Sequence, residues 1–221
     1  MAFSPISPSL PQERCSKQVV RYLALLFLGY VFANAAAKAE CDCLWQGSFT
    51  DVEASADLVV SGSINGGKGN SVDLTIDRLL RGDTIVPDIR IWLKTGDYCR
   101  PEPADFPVGS EWVMALFRIK EDVEGGFSPH TPNISYGRVG DYFLSSCGGY
   151  WLSRHGNWVT GNLVQAPRWV REPKMTPVLL DLVTDYVAGK VDAQALATAS
   201  QEDPAARELM LDTKAFLREG N

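Results

Sequence analysis

The residues of this chain best suited to covalent chemistry are its five cysteines: Cys15, Cys41, Cys43, Cys99 and Cys147. Cys15 lies in a stretch that reads as removable, which leaves an even set of four. Such a set has two outlets: disulfides in an oxidising compartment, or thiolate ligation of a metal such as zinc. Zinc ligand pairs usually sit close together in matched knuckles, whereas Cys99 and Cys147 each stand alone in sequence. Two disulfides are therefore the expectation, and no metal is assigned. Four cysteines allow three pairings. In an extended segment Cys41 and Cys43 point to one face two residues apart, and bonding them to each other closes a tight, strained ring. Each is expected to find a distant partner, and spacing alone leaves open which.

The other reactive side chains form no familiar constellation. His130 and His155 are the two histidines, and neither lies in a His-Glu-x-x-His, Gly-x-Ser-x-Gly or P-loop pattern. His155 beside Ser145 or Ser146 would make a nucleophile and base, but a histidine next to glycine in a turn and two serines in a strand explain them more simply. Asp97, Glu102, Asp105 and Glu111 surround a proline-rich loop and resemble a paired-carboxylate site; a solvated acidic loop explains them at lower cost. Of the tryptophans, Trp112 and Trp151 fall in strands where packing accounts for them, while Trp45, Trp158 and Trp169 are candidates for exposed contacts.

These residues must be positioned by the rest of the 221-residue chain, of which 45% is apolar and 22% charged, an ordinary globular composition. Residues 1–39 read as a secretory signal peptide. Arg14, Lys17 and Arg21 lead into an apolar run over 22–33, too short to span a bilayer, followed by small residues up to Ala39. Cleavage after Ala35, Ala37 or Ala39 fits the small-residue rule, the last leaving Glu40 first. Lys38 and Glu40 before Cys41 argue against lipid attachment. Four of the 21 basic groups and one of the 27 acidic groups leave with residues 1–39, so the remainder carries net charge −9. Such a surface repels nucleic acid and anionic membrane alike, which points to a protein or small-molecule ligand.

Residues 57–64, 71–80, 88–94, 110–119 and 142–152 read as five strands. Val72, Leu74 and Ile76 alternate with Asp73, Thr75 and Asp77, and Ile89, Ile91 and Leu93 with Arg90, Trp92 and Lys94. Glycine-rich residues 65–70 separate the first two, and five strands in succession suggest a small closed barrel. A strand-like stretch follows at 157–164. Thr176 with Pro177 then opens a helix whose apolar face runs from Val178 to Val187 and ends at Gly189, and Asp203 with Pro204 opens a second. The expected organisation is a signal peptide at 1–39, a barrel at 40–165 and a helical extension at 166–221.

The segments Cys41-Asp42-Cys43, Ala56-Asp57-Leu58-Val59-Val60, Ile76-Asp77-Arg78-Leu79-Leu80-Arg81-Gly82, Tyr98-Cys99 and Tyr142-Phe143-Leu144-Ser145-Ser146-Cys147, with an aromatic at Trp151, resemble the netrin-like module of the tissue inhibitors of metalloproteinases. The likeness spans residues 41–151. It implies a mainly β fold, a five-stranded OB-fold-like barrel with flanking helices. It also implies the pairings Cys41 to Cys99 and Cys43 to Cys147. In that family the first cysteine offers its α-amine and carbonyl oxygen to a protease's catalytic zinc. Three departures bear on this: Glu40 before Cys41 would turn that amine into an amide, Asp42 would bring a charge into an often apolar pocket, and Ala54 stands where a third cysteine is expected. The fold transfers through these departures better than inhibition does.

The functional expectation is an exported, non-enzymatic protein-binding domain, with metalloprotease inhibition as its sharpest form. Its contact surface is assigned to Cys41, Asp42, Cys43, Leu44, Trp45 and Tyr98, along the loop 98–106. No catalytic residue and no cofactor are assigned. The expected partner is a protein, a secreted metalloprotease in the case the resemblance implies, met in the periplasm or outside the cell. Two readings compete: a small secreted hydrolase or carbohydrate-active protein, and a structural component of the cell envelope.

Overall fold

The computed structural model describes residues 41–96, 98–124, 126, 135–168 and 175–201, all within the compact unit Glu40–Asn221. The readings of residues 1–39 as a signal peptide, of the second helix from Asp203, and of Asp97, His130 and Trp169 lie outside the described residues. The fold is mainly β. Strands β1 (Leu58–Lys68), β2 (Ser71–Arg81), β3 (Asp88–Trp92), β4 (Glu111–Arg118) and β5 (Tyr142–Phe143) close into a five-stranded barrel. β1 pairs with β2 and β2 with β3, both antiparallel; β3 pairs in parallel with β5, β5 with β4, and β4 returns to β1. That circuit, with one parallel contact between the third and fifth strands, is the OB-fold arrangement.

Alternation fixes which side of each strand faces inward. Val72, Leu74, Ile89, Ile91 and Leu93 are buried as the period-two pattern requires. Trp92, on the opposite face of β3 from Ile91, is buried as well, because its indole N–H donates to Asp141 Oδ2 at 2.8 Å. The first hairpin is tighter than the sequence suggests: β1 continues through the glycines to Lys68, and only Gly69 and Asn70 form the turn, with Gly69 at φ +64°. Asn70 is buried. Its amide donates to the carbonyls of Leu93 and Ser135 and accepts from the Ser135 N–H, tying the hairpin tip to two later segments.

The expected fifth strand over 142–152 is interrupted. Only Tyr142–Phe143 pairs with β3 and the end of β4; the chain then leaves the sheet and returns as β6 (Trp151–His155) against the start of β4. The excursion follows from Gly149, whose Cα lies so close to the Asn162 carbonyl and the Phe49 N–H that a Cβ would stand 2.7 Å from each. Strand β7 (Trp158–Gly161) forms a hairpin with β6, and β8 (Val178–Leu179) adds to its far side.

The helix expected from Thr176 starts later, as α2 (Leu180–Val187), following the short α1 (Phe49–Val52) near the N-terminus. Thr176 cannot cap it, since its hydroxyl donates to the Gln201 carbonyl at 2.5 Å while its N–H binds Ser200 O. A further helix, α3 (Ala193–Ala199), is capped by Asp192, whose side chain accepts from Ala195 N. The alanine-rich run after Asp192 carried that signal. Leu180, Val183, Val187 and Leu196 belong to the same core as Leu58, Leu74 and Leu116, so the helices cover the barrel. Each such side chain contributes about 1.5–3 kcal/mol by leaving water. None of the described helices is long and apolar enough to cross a membrane.

Asp57 locks the start of β1 to the end of β4. Its carboxylate accepts from Arg118 N at 2.9 Å and from Lys120 Nζ at 2.8 Å, and the Lys120 hydrogen bond, then that of Arg118, holds its pKa below the ordinary aspartate value. The carboxylate therefore stabilises the fold above about pH 4, and that contribution is lost as pH falls through the depressed folded value. Because the pair is part exposed, the effect is about 1 kcal/mol at most. Melting curves between pH 6 and pH 2.5 should show a steeper acid loss for the wild type than for Asp57→Asn; parallel curves would remove Asp57 from the account.

Candidate functional site

Residues 41–47 form no regular structure, yet covalent and polar contacts fix them at both ends. Disulfides join Cys41 to Cys99 and Cys43 to Cys147, with Cα separations of 5.1 and 5.8 Å. Gln46 N–H donates to the Cys147 carbonyl at 2.7 Å, and Gly149 N–H to the Gly47 carbonyl at 2.9 Å. Ser48 Oγ accepts from Ala166 N, and the Tyr150 hydroxyl donates to Gln46 Oε1 at 2.6 Å. A short segment without regular structure is thus held as a ridge against the segments of Cys99, Cys147 and Gly149.

The ridge presents Asp42, Cys43 and Leu44 to solvent, Leu44 at 89% exposure. The Cys41–Cys99 bond sets Tyr98 beside them, 40% exposed. Trp45 is half-buried beside this surface, and its indole N–H donates to the Ala166 carbonyl at 2.8 Å. Phe106, at the far end of the loop, is buried against Trp112 and Trp151 with ring centroids 5.0 and 5.9 Å away. Of the residues assigned from sequence, Cys41, Asp42, Cys43, Leu44 and Tyr98 come together, while Trp45 is partly buried with its indole N–H on Ala166 and Phe106, at the end of the 98–106 loop, is buried.

Sequence reasoning missed Arg100, which supports the ridge from below. It is 4% exposed, and its guanidinium lies 4.4 Å from the Tyr136 ring centroid, 4.6 Å from Phe143 and 5.4 Å from Tyr98. Nη1 donates to the Tyr136 carbonyl at 2.6 Å. Burial pushes its pKa down, but an arginine remains a cation throughout the physiological range. Desolvated cation–π contacts of this kind are worth about 2 kcal/mol, and the Tyr98 ring also packs edge-on against Tyr136 with centroids 4.8 Å apart. A cation next to a cysteine and two residues from a tyrosine carries no sequence pattern that distinguishes this cage from a solvated arginine.

Beside the ridge lies an open groove of about 510 Å³ between Gln46, Asp51, Ser55, Phe117, Phe143 and Tyr150. Several of its polar groups have partners: Asp51 accepts from Ser48 N, Ser55 Oγ donates to the Val52 carbonyl, and the Tyr150 hydroxyl donates to Gln46 Oε1. The residues weighed for catalysis also have structural employment. Ser145 Oγ accepts from Cys147 N, and His155 stands opposite Trp158 in the β6–β7 hairpin. Glu102 and Asp105 cap the 3-10 turn Pro103–Asp105, and Glu111 receives the Gly156 N–H and pairs with Arg154.

Among the described residues, the four clustered sulfurs are a group whose spacing could hold a metal. All four lie within 4.8 Å of one another, and Cys41 Sγ and Cys43 Sγ are 3.7 Å apart. Cys99 and Cys147, isolated in sequence, are neighbours in space. Bonded as two disulfides, they offer no thiolate. No protein-family model, curated protein or solved structure matches this chain.

Proposed function

We propose that this chain is an exported, netrin-like protein-binding module that engages its partner through the ridge of Cys41, Asp42, Cys43 and Leu44 flanked by Tyr98. The observation that carries this reading is Leu44: an aliphatic side chain 89% exposed on a segment held by two disulfides. Exposed leucines are common, but this one is rigidly displayed. A segment already ordered in the free protein loses little entropy on docking, so an apolar side chain there converts its burial into affinity. The exposed Asp42 and the Tyr98 ring supply a polar rim and an aromatic contact around it.

The resemblance to the metalloproteinase inhibitors makes a secreted zinc endopeptidase the first partner to test. Chelation through Cys41 requires a free α-amine there, whereas docking of Leu44 does not. The decisive experiment measures binding and inhibition, against a panel of extracellular zinc endopeptidases, by forms starting at Glu40 and at Cys41. Both forms are expected to bind, and only the Cys41 form to inhibit. Leu44→Arg should weaken binding by at least about tenfold, or 1.4 kcal/mol, without shifting the melting temperature. Absence of binding by either form would end the protease assignment, and undiminished binding by Leu44→Arg would remove the ridge from the interface.

A further inference from the structure

We propose that Cys41, Cys43, Cys99 and Cys147, once reduced, form a tetrathiolate site for a single Zn²⁺ ion, so that the module has two alternative staples on one set of sulfurs. A tetrahedral zinc with Zn–S bonds of about 2.3 Å places its ligand sulfurs about 3.8 Å apart. Cys41 Sγ and Cys43 Sγ already stand at 3.7 Å, and all four sulfurs fall within 4.8 Å. What must change is the separation inside each bonded pair, which opens by about 1.8 Å on passing from a disulfide to a shared metal. Side-chain rotation distributes that motion over two sulfurs.

The backbone that carries Cys99 and Cys147 is held by hydrogen bonds as well as by sulfur. Ser146 N–H donates to the Cys99 carbonyl at 3.0 Å, joining the segments of Cys99 and Cys147, and Gln46 N–H donates to the Cys147 carbonyl. Gly149 N–H to Gly47 O closes the other side. These bonds keep Cys99, Cys147 and the chain at Gln46 together after the S–S bonds are gone, with Cys43 and Cys41 on the short tether that precedes Gln46. Cys43 is exposed, so reductant and metal have access, while Cys147 is buried, so the site is not an open surface array.

Two dithiol molecules supply four electrons and four protons; two S–S bonds break, four thiols form and the dithiols leave as cyclic disulfides. Zinc keeps its oxidation state and displaces up to four protons from the thiols, so its affinity rises with pH. Soft sulfur ligands in tetrahedral array favour zinc over magnesium or calcium.

The test uses the full chain carrying Cys15→Ser, so that only the clustered thiols count. The protein is reduced with a dithiol, desalted without oxygen and titrated with Co²⁺ and then Zn²⁺. The expected result is one metal per chain, the intense visible bands of tetrahedral cobalt thiolate, and recovery with Zn²⁺ of most of the thermal stability lost on reduction. Cys147→Ser, treated identically, should bind at least about tenfold more weakly. A reduced protein that binds no cobalt, binds it octahedrally, or binds it without regaining its near-UV circular dichroism would overturn the proposal, the last because it would mark a thiol cluster in an unfolded chain.

Discussion

The double variant Cys43→Ala/Cys147→Ala is expected to melt about 10–15 °C below the wild type, a loss of roughly 4–5 kcal/mol. The bond spans a sequence separation of 104 residues, and the Cys41–Cys99 bond 58. In the chain-entropy model the longer loop restricts the unfolded ensemble more, but only by about 0.5 kcal/mol, because the dependence is logarithmic. The folded state separates the two bonds further. Without Cys41–Cys99, only the first residues of the ridge are released, since Cys43 still holds the segment. Without Cys43–Cys147, the ridge and the glycine-rich excursion before β6 lose their direct covalent link, and hydrogen bonds such as those of Gln46, Gly149 and Tyr150 join them. Pairwise alanine replacement avoids leaving a free thiol that would form adventitious bridges. Urea denaturation of the two double variants under oxidising conditions checks this. A loss below about 1 kcal/mol in Cys43→Ala/Cys147→Ala would mean that packing of Phe49 and Tyr150, rather than the cross-link, holds the ridge.

The same contrast between local and long-range determinants explains how far the sequence could be read. The barrel was legible because its signal is local: Val72, Leu74 and Ile76, and Ile89, Ile91 and Leu93, alternate over runs long enough to show a period of two. The ridge was legible in part, since Cys41 and Cys43 must both reach away from each other. What stayed hidden depends on neighbours distant in the chain. The residues from Leu144 to Tyr150 look like strand, and only the approach of Asn162 and Phe49 to Gly149 shows why the pairing breaks there. Thr176 before Pro177 has the form of a helix cap, but its hydroxyl is taken by Gln201. Trp45 looked like an exposed contact until Ala166, far along the chain, supplied its acceptor. Spacing alone also did not show that Cys99 and Cys147, far apart in the chain, lie beside Cys41 and Cys43 with all four sulfurs within 4.8 Å.

Gly62→Val is expected to cost about 3 kcal/mol or more, and Gly66→Ala, four residues along the same strand, less than about 0.5 kcal/mol. Gly62 occupies the point where β1 is paired on both sides, with Ile76 on β2 and Trp112 on β4, beside a register shift between Ser61 and Gly62. The strand must bend there to serve both neighbours and close the barrel. A Cβ at Gly62 would collide with the Thr75 carbonyl oxygen and lie 3.0 Å from its carbon and 3.1 Å from Leu74 Cγ. The nearest obstacle is backbone within a ladder that pairs Thr75 with both Ser63 and Asp88, so it cannot withdraw without opening β1–β2 or β2–β3. At Gly66 the nearest atom is a terminal Asp73 oxygen 3.8 Å away, and β1 has left β4 by that point. Equilibrium unfolding of the two variants reads the difference directly. Equal, small losses would mean that β1 can relax away from β2 and that barrel closure does not rest on close approach at Gly62; a large loss confined to Gly62 places the bend that closes the barrel at this one residue.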